Sequence, residues 1–347
     1  MPSISIDTFF ACTLMVAVVI ISTVMSTGIL TTQINSLQNT NQQAYFQAIA
    51  QYILSNPGTP TDWGSNPATI PDNFGLAANN SLYPNQLDID KVSRLNAQNA
   101  FGLTYPEVFN ATALKSAFAI SISQIIDVAI HPTSNFTSNN ATTYTFTIQT
   151  AEDGVPAQTS LHYYVIAQNF TYNALNNTAS DGTASINFEI PDSSAGTAAL
   201  IVFARTDSDP RVTSYGIYSF GHLSPDPESN GTYVNISPLN YTLSTILNNS
   251  DTNPDTYYAL SYAYSYNLAP TSNTTCRIPR SLDNSPIVLI ASGRSNSTYF
   301  IEWTSYPQIP LKIGADLKNS ESYAFSYIVT IKNTLYRATL SFGGTNQ

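Results

Sequence analysis

Histidine and cysteine, the side chains best suited to catalysis and metal binding, are few and scattered in this chain of 347 residues. His131, His162 and His222 have no metal-ligand spacing and belong to no Ser/His/Asp signature such as Gly-x-Ser-x-Gly. Cys12 and Cys276 lie far apart in the sequence, which argues against a disulfide framework. The sequence therefore predicts neither an enzyme nor a bound cofactor.

Acidic residues also come in pairs that could be considered for calcium binding. Three such pairs fall in predicted loops: Asp207/Asp209, Asp226/Glu228 and Asp251/Asp255. A calcium ion takes about six to eight oxygen ligands, and none of the three segments matches a calcium-loop pattern. We therefore predict no metal site.

The most frequent chemical motif is the Asn-x-Ser/Thr sequon of N-glycosylation, which occurs twelve times. A chain so rich in Asn, Ser and Thr would contain roughly seven or eight by chance, so the excess is modest. The sequence predicts N-linked glycans at several of these sites, and the alternative is a loop composition that merely contains the motif. The candidates are Asn79, Asn110, Asn135, Asn140, Asn169, Asn176, Asn230, Asn235, Asn240, Asn248, Asn273 and Asn296.

All twelve sequons follow a stretch, residues 8–61, that contains no Asp, Glu, Lys, Arg or His. Residues 9–30 of this stretch are mostly apolar, and as a helix they would extend about 33 Å. That length is enough to cross the hydrocarbon core of a bilayer. The pattern predicts a transmembrane helix in contact with membrane lipid, with the sequon-bearing part outside the cell.

Residues 31–55 continue with apolar side chains at three- and four-residue spacing among Gln, Asn and Ser. This periodicity indicates an amphipathic helix, and Pro57-Gly58 supplies the stop. We expect one helix over 1–56, with Asp7 as its N-terminal cap. The residues expected to mediate helix assembly with other copies are Asp7, Leu30, Ile34, Leu37 and Ile49.

Charge and composition limit the partners. The net charge is −10 and only 10% of residues are charged. Nucleic acid requires a basic surface, so it is excluded as a partner. The surface therefore interacts with water mainly through neutral groups.

The remaining sequence predicts an α+β fold class. Breaks, short helices and one strand over 57–135 indicate a small mixed collar. Alternating segments over 136–222 predict an antiparallel β-sandwich, and 223–347 is a second β-rich region that either forms another sandwich or completes the first. A Tyr-rich segment, 257–268, is predicted to place phenols along one sheet face, mainly as packing and alternatively as a platform for sugars or a partner.

Several motifs occur in a fixed order after the helix: NPGTP-x-x-W (56–63), FGLA (74–77), LD-x-x-KV-x-x-LN (87–96) and Y-x-E (105–107). Together with the helix, this order resembles the archaeal pilin-like proteins of the type IV filament superfamily, over about residues 4–130. The resemblance implies a membrane-anchored subunit whose helix enters a filament core. The run from Asp153 to Ala204 resembles the immunoglobulin-like or prealbumin-like modules of surface proteins.

Two functions remain open at this point. The first is a structural cell-surface subunit, pilin-like, that self-associates through its helix into an extracellular filament with a glycosylated β-head. The second is a permanently anchored monomeric adhesin or receptor whose β-sandwich binds a ligand. A helix buried among copies of itself cannot carry unpaired charge without a large desolvation cost, so the uncharged stretch favours the first.

Overall fold

The computed structural model describes residues 6–79, 81, 83–227, 231–272, 274–280, 286–317 and 322–345, and within those ranges it describes the side chains of 14–25 and 41–343. The chain forms two compact units, Met1–Gln51 and Tyr52–Gln347. The domain boundaries that the sequence predicts near residues 135 and 222 stay predictions.

Helix α1 (Ile6–Ser55) runs without interruption for 50 residues. Proline is absent between Pro2 and Pro57, so nothing removes a backbone donor from within the helix. Among the residues described, however, no helix is long and apolar enough to cross a membrane. The predicted transmembrane helix at 9–30 is therefore wrong, and so is the resemblance to archaeal pilin-like proteins that depended on it.

Two short helices follow in the collar, which we define as residues 57–112: α2 (Ile89–Ser93) and α3 (Tyr105–Thr112). A capping box begins α3, in which the Thr104 backbone N–H donates to Glu107 Oε2 at 2.7 Å. The collar therefore contains the loops and short helices that the sequence predicts.

Twenty strands are described in the rest of the second unit: β1 (Ser116–Gln124), β2 (Ile126–Ser138), β3 (Ala141–Glu152), β4 (Val155–Pro156), β5 (Ser160–Ala167), β6 (Phe170–Asn177), β7 (Thr183–Pro191), β8 (Gly196–Arg205), β9 (Thr213–His222), β10 (Val234–Leu239), β11 (Thr242–Leu247), β12 (Thr252–Leu260), β13 (Ser265–Asn267), β14 (Pro270–Ser272), β15 (Thr275–Arg277), β16 (Ile287–Ser295), β17 (Thr298–Tyr306), β18 (Leu311–Gly314), β19 (Ser322–Ile331) and β20 (Thr334–Thr345). A 3-10 turn, Asp192–Ser194, precedes β8.

These strands form five antiparallel sheets. Sheet I has the order β18-β1-β20-β19, and in sheet II β3 pairs with β2 on one edge and with β7 and β4 on the other. Sheet III has the order β6-β5-β8-β9, sheet IV β10-β11-β15-β14 and sheet V β13-β12-β16-β17. Sheet I joins β1 to three strands from the end of the chain, so early and late segments share one sheet.

Sheet III is the middle layer of three. Along β8, Leu200 and Val202 belong to a core shared with sheet II, whereas Ile201 and Phe203 belong to a core shared with sheet V. Successive side chains of a strand point to opposite faces, so β8 is buried on both sides. This explains the nearly continuous apolar run over 196–204, a pattern that half-exposed strands do not show. The predicted β-sandwich is confirmed at this level.

Two strand predictions need correction. The one strand predicted within 57–135 is two strands, β1 and β2, because the chain passes from sheet I to sheet II at Ile125. The Tyr-rich segment turns after Leu260 and returns as β13, with Tyr258 opposite Asn267. Its tyrosines therefore do not form one row: Tyr257 is buried, whereas Tyr264 is 57% exposed.

Candidate functional site

The collar buries three charged side chains on or beside α2. Asp90, Lys91 and Arg94 are 7%, 1% and 2% exposed. Asp88 starts the helix, since its Oδ1 accepts the Asp90 and Lys91 backbone N–H groups at 2.9 and 3.0 Å. Burying a charge is unfavourable unless other groups replace its hydration, so the partners of these three residues define the site.

Trp63 is fully buried next to both cations. Lys91 Nζ lies 5.8 Å and Arg94 Cζ 5.6 Å from the centroid of its ring, within reach of cation–π attraction. Lys91 Nζ also donates to the carbonyl oxygens of Pro57 at 2.7 Å and Ala77 at 2.8 Å. Burial lowers the pKa of Lys91. Carbonyl oxygens and an aromatic ring thus replace the water around this ammonium.

Arg94 links the loops of the collar through hydrogen bonds. Its guanidinium donates to the carbonyl oxygens of Asn66 at 3.0 Å, Thr69 at 2.8 Å and Phe101 at 2.9 Å, and also to that of Trp63. Only a planar group with several donors can reach so many acceptors at once. Arg94 therefore has a structural role.

Asp90 connects α2 to two strands of the β region. Its Oδ1 accepts from the Tyr306 hydroxyl at 2.6 Å and from the Asn240 backbone N–H at 2.8 Å. Tyr306 ends β17, and Asn240 lies in the turn between β10 and β11. Burial raises the pKa of Asp90 to about 6, and the hydrogen bond from Tyr306 partly offsets that rise.

A second polar network lies alongside and consists of amides. Asn99 Nδ2 donates to Gln308 Oε1 and to the Pro238 carbonyl, the latter at 3.2 Å. Gln308 Nε2 donates to Thr304 Oγ1 at 2.8 Å, and Asn96 Nδ2 donates to the Gln308 carbonyl at 3.0 Å. Gln308 is only 3% exposed. These bonds fix the 96–99 segment of the collar against β10 and β17.

A groove opens beside this network, between the edge strands β10 and β17 and the 96–98 segment. It consists of two adjoining hollows of about 200 and 400 Å³, which share Gln98, Trp303, Thr304 and Gln308. Of the described residues that line it, only Lys312 is charged. We call it the Trp303 groove. It is a candidate for binding a neutral molecule.

Two other buried titratable side chains have fixed partners. Glu302 accepts the Tyr233 backbone N–H at 3.1 Å, and its pKa is raised by burial. His222 Nε2 donates to the Pro191 carbonyl across 3.0 Å, which leaves Nδ1 to accept from the Tyr144 hydroxyl at 2.9 Å. Within the described ranges, no group of three His, Cys, Asp or Glu residues could hold a metal ion.

The predicted glycosylation sites are mostly accessible where they are described. Asn230 and Asn273 lie outside the described residues. Asn176 and Asn235 are half-buried. The other eight are exposed: Asn79, Asn110, Asn135, Asn140, Asn169, Asn240, Asn248 and Asn296. Four of these, Asn140, Asn169, Asn240 and Asn296, lie in hairpin turns and have positive φ angles, which Asn tolerates better than most residues.

Most of the side chains predicted to mediate helix assembly lie outside the described residues. Asp7, Leu30, Ile34 and Leu37 lie in the backbone of α1, but their side chains are outside the described residues. Ile49 is half-buried. Their roles stay predictions.

No pattern in the sequence indicates the partnership of Asp90 with Tyr306 or of Asn99 with Gln308. These pairs are separated by 216 and 209 residues, so local spacing carries no information about them. Trp303 had a weak signal, because tryptophan occurs only twice in the chain.

Comparison with known proteins leaves the family open. No family model matches the chain, and no curated protein matches it. A solved structure with some likeness is HBP35 of Porphyromonas gingivalis, with 13% identity, a TM-score of 0.21, and coverage of 56% of this chain. The match spans 64% of that structure's length. HBP35 is a bacterial protein and not an archaeal pilin, and at this TM-score the likeness carries no argument about fold or function.

Proposed function

We propose that this chain is a non-catalytic structural protein of the cell surface that self-associates through α1. One observation carries the proposal: all of the 50-residue helix α1 except Ile6 and Asp7 lies inside a stretch, 8–61, that has no charged side chain. The other parts of the chain supply a rigid β region and accessible sequons.

The absence of charge matters because burying charged side chains between helices is energetically unfavourable. A helix surrounded by water normally carries Lys and Glu, which cost nothing to hydrate and support it through i,i+4 pairs. A helix packed among copies of itself would have to bury such groups, and an unpaired buried charge is strongly unfavourable. Neutral Gln and Asn side chains can instead hydrogen-bond laterally between helices. The composition of 8–61 fits the packed arrangement.

The β region supports a structural role in its own way. Sheets II, III and V bury two continuous cores, and we propose that sheets II and III form an immunoglobulin-like sandwich. Such sandwiches host many functions, so the sandwich itself does not identify one. The exposed sequons support an extracellular location, where N-glycans would be attached.

A second candidate function is ligand binding by the β region, as in a surface adhesin or receptor. The Trp303 groove favours it, because a concave site with a large aromatic ring and several amides is typical of binding sites.

The self-association proposal can be tested with one charge placed on two faces of the helix. The sequence puts Leu37 in the apolar stripe, and Asn39 lies about 200° further around the helix. We expect Leu37→Glu to reduce the complexes of the full chain to monomers and Asn39→Glu to leave them assembled. Sedimentation velocity measures this, with near-ultraviolet circular dichroism to confirm that the β region stays folded. Equal assembly of wild type and Leu37→Glu would refute the proposal.

A further inference from the structure

We propose that the Trp303 groove binds a neutral oligosaccharide. This inference does not depend on self-association, because the groove lies wholly within the second unit, Tyr52–Gln347. It assigns a ligand class to a site that the structural role of the chain does not require.

The aromatic wall of the groove is held in place from behind. Trp303 packs against the core between sheets III and V. Its ring also meets Tyr215 edge to face, at 6.5 Å between centroids and 81° between planes. A half-buried indole fixed in this way offers a rigid apolar surface, and it loses little conformational entropy when a ligand covers it. The C–H face of a sugar ring is a suitable partner for such a surface.

The rim of the groove is polar and uncharged, apart from Lys312 at one end. Gln98 is exposed on the collar side, and Asn235 is half-buried on β10. Each amide both donates and accepts hydrogen bonds, as a sugar hydroxyl also does. Gln308 and Thr304 already bond to each other, so the floor of the groove keeps its shape. A ligand with many hydroxyls and no charge matches this rim best.

An added peptide strand is the main alternative, because β17 is an edge strand of sheet V. However, β10 contacts β17 along this edge, which limits the space for a whole strand. The two hollows together are within the roughly 300–1,000 Å³ that is typical of small-ligand sites. A short oligosaccharide fits these limits better than an extended peptide.

The sugar could come from two sources. Asn235 lines the groove and is also a sequon, so a glycan on this residue could fold into it. Otherwise the groove binds a glycan from outside the molecule. The variant Asn235→Gln separates these sources, because it removes the attachment site and keeps an amide.

Tryptophan fluorescence provides a direct readout. The chain has two tryptophans, and Trp63 is fully buried, so quenching by acrylamide reports mainly on Trp303. The probes are maltotriose, cellotriose and chitotriose, with N-acetyl-trialanine amide as the peptide probe. We expect at least one trisaccharide to lower the quenching constant about twofold at saturation. Gln98→Ala should weaken that binding about tenfold, and Gln158→Ala, an exposed glutamine away from the groove, should leave it unchanged.

The outcomes are distinct. Protection of the wild type by a trisaccharide supports an external glycan, and protection only of Asn235→Gln supports the chain's own glycan as the occupant. If no trisaccharide protects either protein, or if only the peptide does, the proposal is wrong. Gln98→Ala should leave sedimentation unchanged, so failure here is distinguishable from failure of self-association.

Discussion

Asp90, Lys91 and Arg94 show how single residues hold the collar to the β region. The two cations are surrounded by carbonyl oxygens and the Trp63 ring, and Asp90 accepts from a hydroxyl and a backbone amide. A buried carboxylate without a cation prefers its neutral form, which is why its pKa rises. This arrangement makes stability depend on pH.

The first prediction concerns that dependence. The pKa of Asp90 is raised from 3.8 to about 6, so the folded state binds the proton more tightly than the unfolded state. The stability that protonated Asp90 contributes is fully present below about pH 4 and is lost as the pH rises through about 6. This rise in the pKa of Asp90 corresponds to about 3 kcal/mol of unfolding free energy.

Asp90→Asn keeps an oxygen acceptor for Tyr306 but cannot ionise. Urea denaturation from pH 4 to 7 should therefore show a smaller decline of the unfolding free energy in this variant than in the wild type. Asp209→Asn is the control, because the hydrogen bond from Arg211 lowers the pKa of the half-buried Asp209 and the effect there has the opposite sign. Identical pH profiles for the wild type and Asp90→Asn would contradict the assignment.

The second prediction concerns Arg94. Lysine has one nitrogen and cannot reach the carbonyl oxygens that the guanidinium bonds, so Arg94→Lys leaves buried acceptors without donors. We expect a loss of about 2–4 kcal/mol in the free energy of unfolding, measured by urea denaturation. Arg211→Lys, in an exposed ion pair, should change it by less than about 1 kcal/mol. Similar losses in the two variants would argue against the special role of Arg94.

At the scale of elements, β8 determines the layering. Its residues alternate between the core shared with sheet II and the core shared with sheet V. Edge elements behave differently: the second half of β2 is exposed, and Phe136 there is 69% accessible. The two environments predict different responses to the same substitution.

The third prediction compares two phenylalanines. Phe203→Ala removes a fully buried ring from the core between sheets III and V and should cost about 3–5 kcal/mol. Phe136→Ala removes an exposed ring and should change the unfolding free energy by less than about 0.5 kcal/mol. Chemical denaturation of both variants measures the difference. Comparable losses would mean that sheet III is not buried on both faces.

The fourth prediction concerns the turns that carry sequons. If the protein is glycosylated, glycopeptide mapping of material from its native host should find higher occupancy at Asn140, Asn169 and Asn296 than at Asn176. The first three are exposed in hairpin turns, whereas Asn176 is half-buried and its Nδ2 donates to the Ser185 carbonyl at 3.0 Å. An intact mass equal to that of the bare polypeptide would contradict the extracellular glycoprotein proposal.

The strands show what the sequence could predict. Segments with clear period-two alternation or a bounded apolar run, such as β3, β8, β16 and β17, were placed correctly because burial on one or both faces leaves a local pattern. Strand β6 was missed, since its mostly exposed side chains follow no apolar pattern. The split at Ile125 was missed as well, because the sequence between β1 and β2, Gln124-Ile125-Ile126, contains no turn residue.

The candidate site was less predictable than the fold. Gln308 and Asp90 each bond to a partner more than 200 residues away, and no local spacing marks such pairs. The transmembrane prediction for 9–30 rested on hydropathy alone, and no helix among the described residues is long and apolar enough to cross a membrane.

At the scale of the whole molecule, each unit has its own character. The first unit is helical, and its sequence lacks charge from residue 8 onward. The second unit is closed by sheet I, in which β1 pairs with β18 and β20 from the other end of the chain. This long-range pairing joins the two ends of the second unit in one sheet.

The fifth prediction tests self-association most directly. Sedimentation velocity of the wild-type full chain should be measured over a dilution series from micromolar to nanomolar concentration. Helix-mediated self-association predicts complexes larger than one chain that dissociate progressively on dilution. A single species with the mass of one chain at every concentration would contradict it.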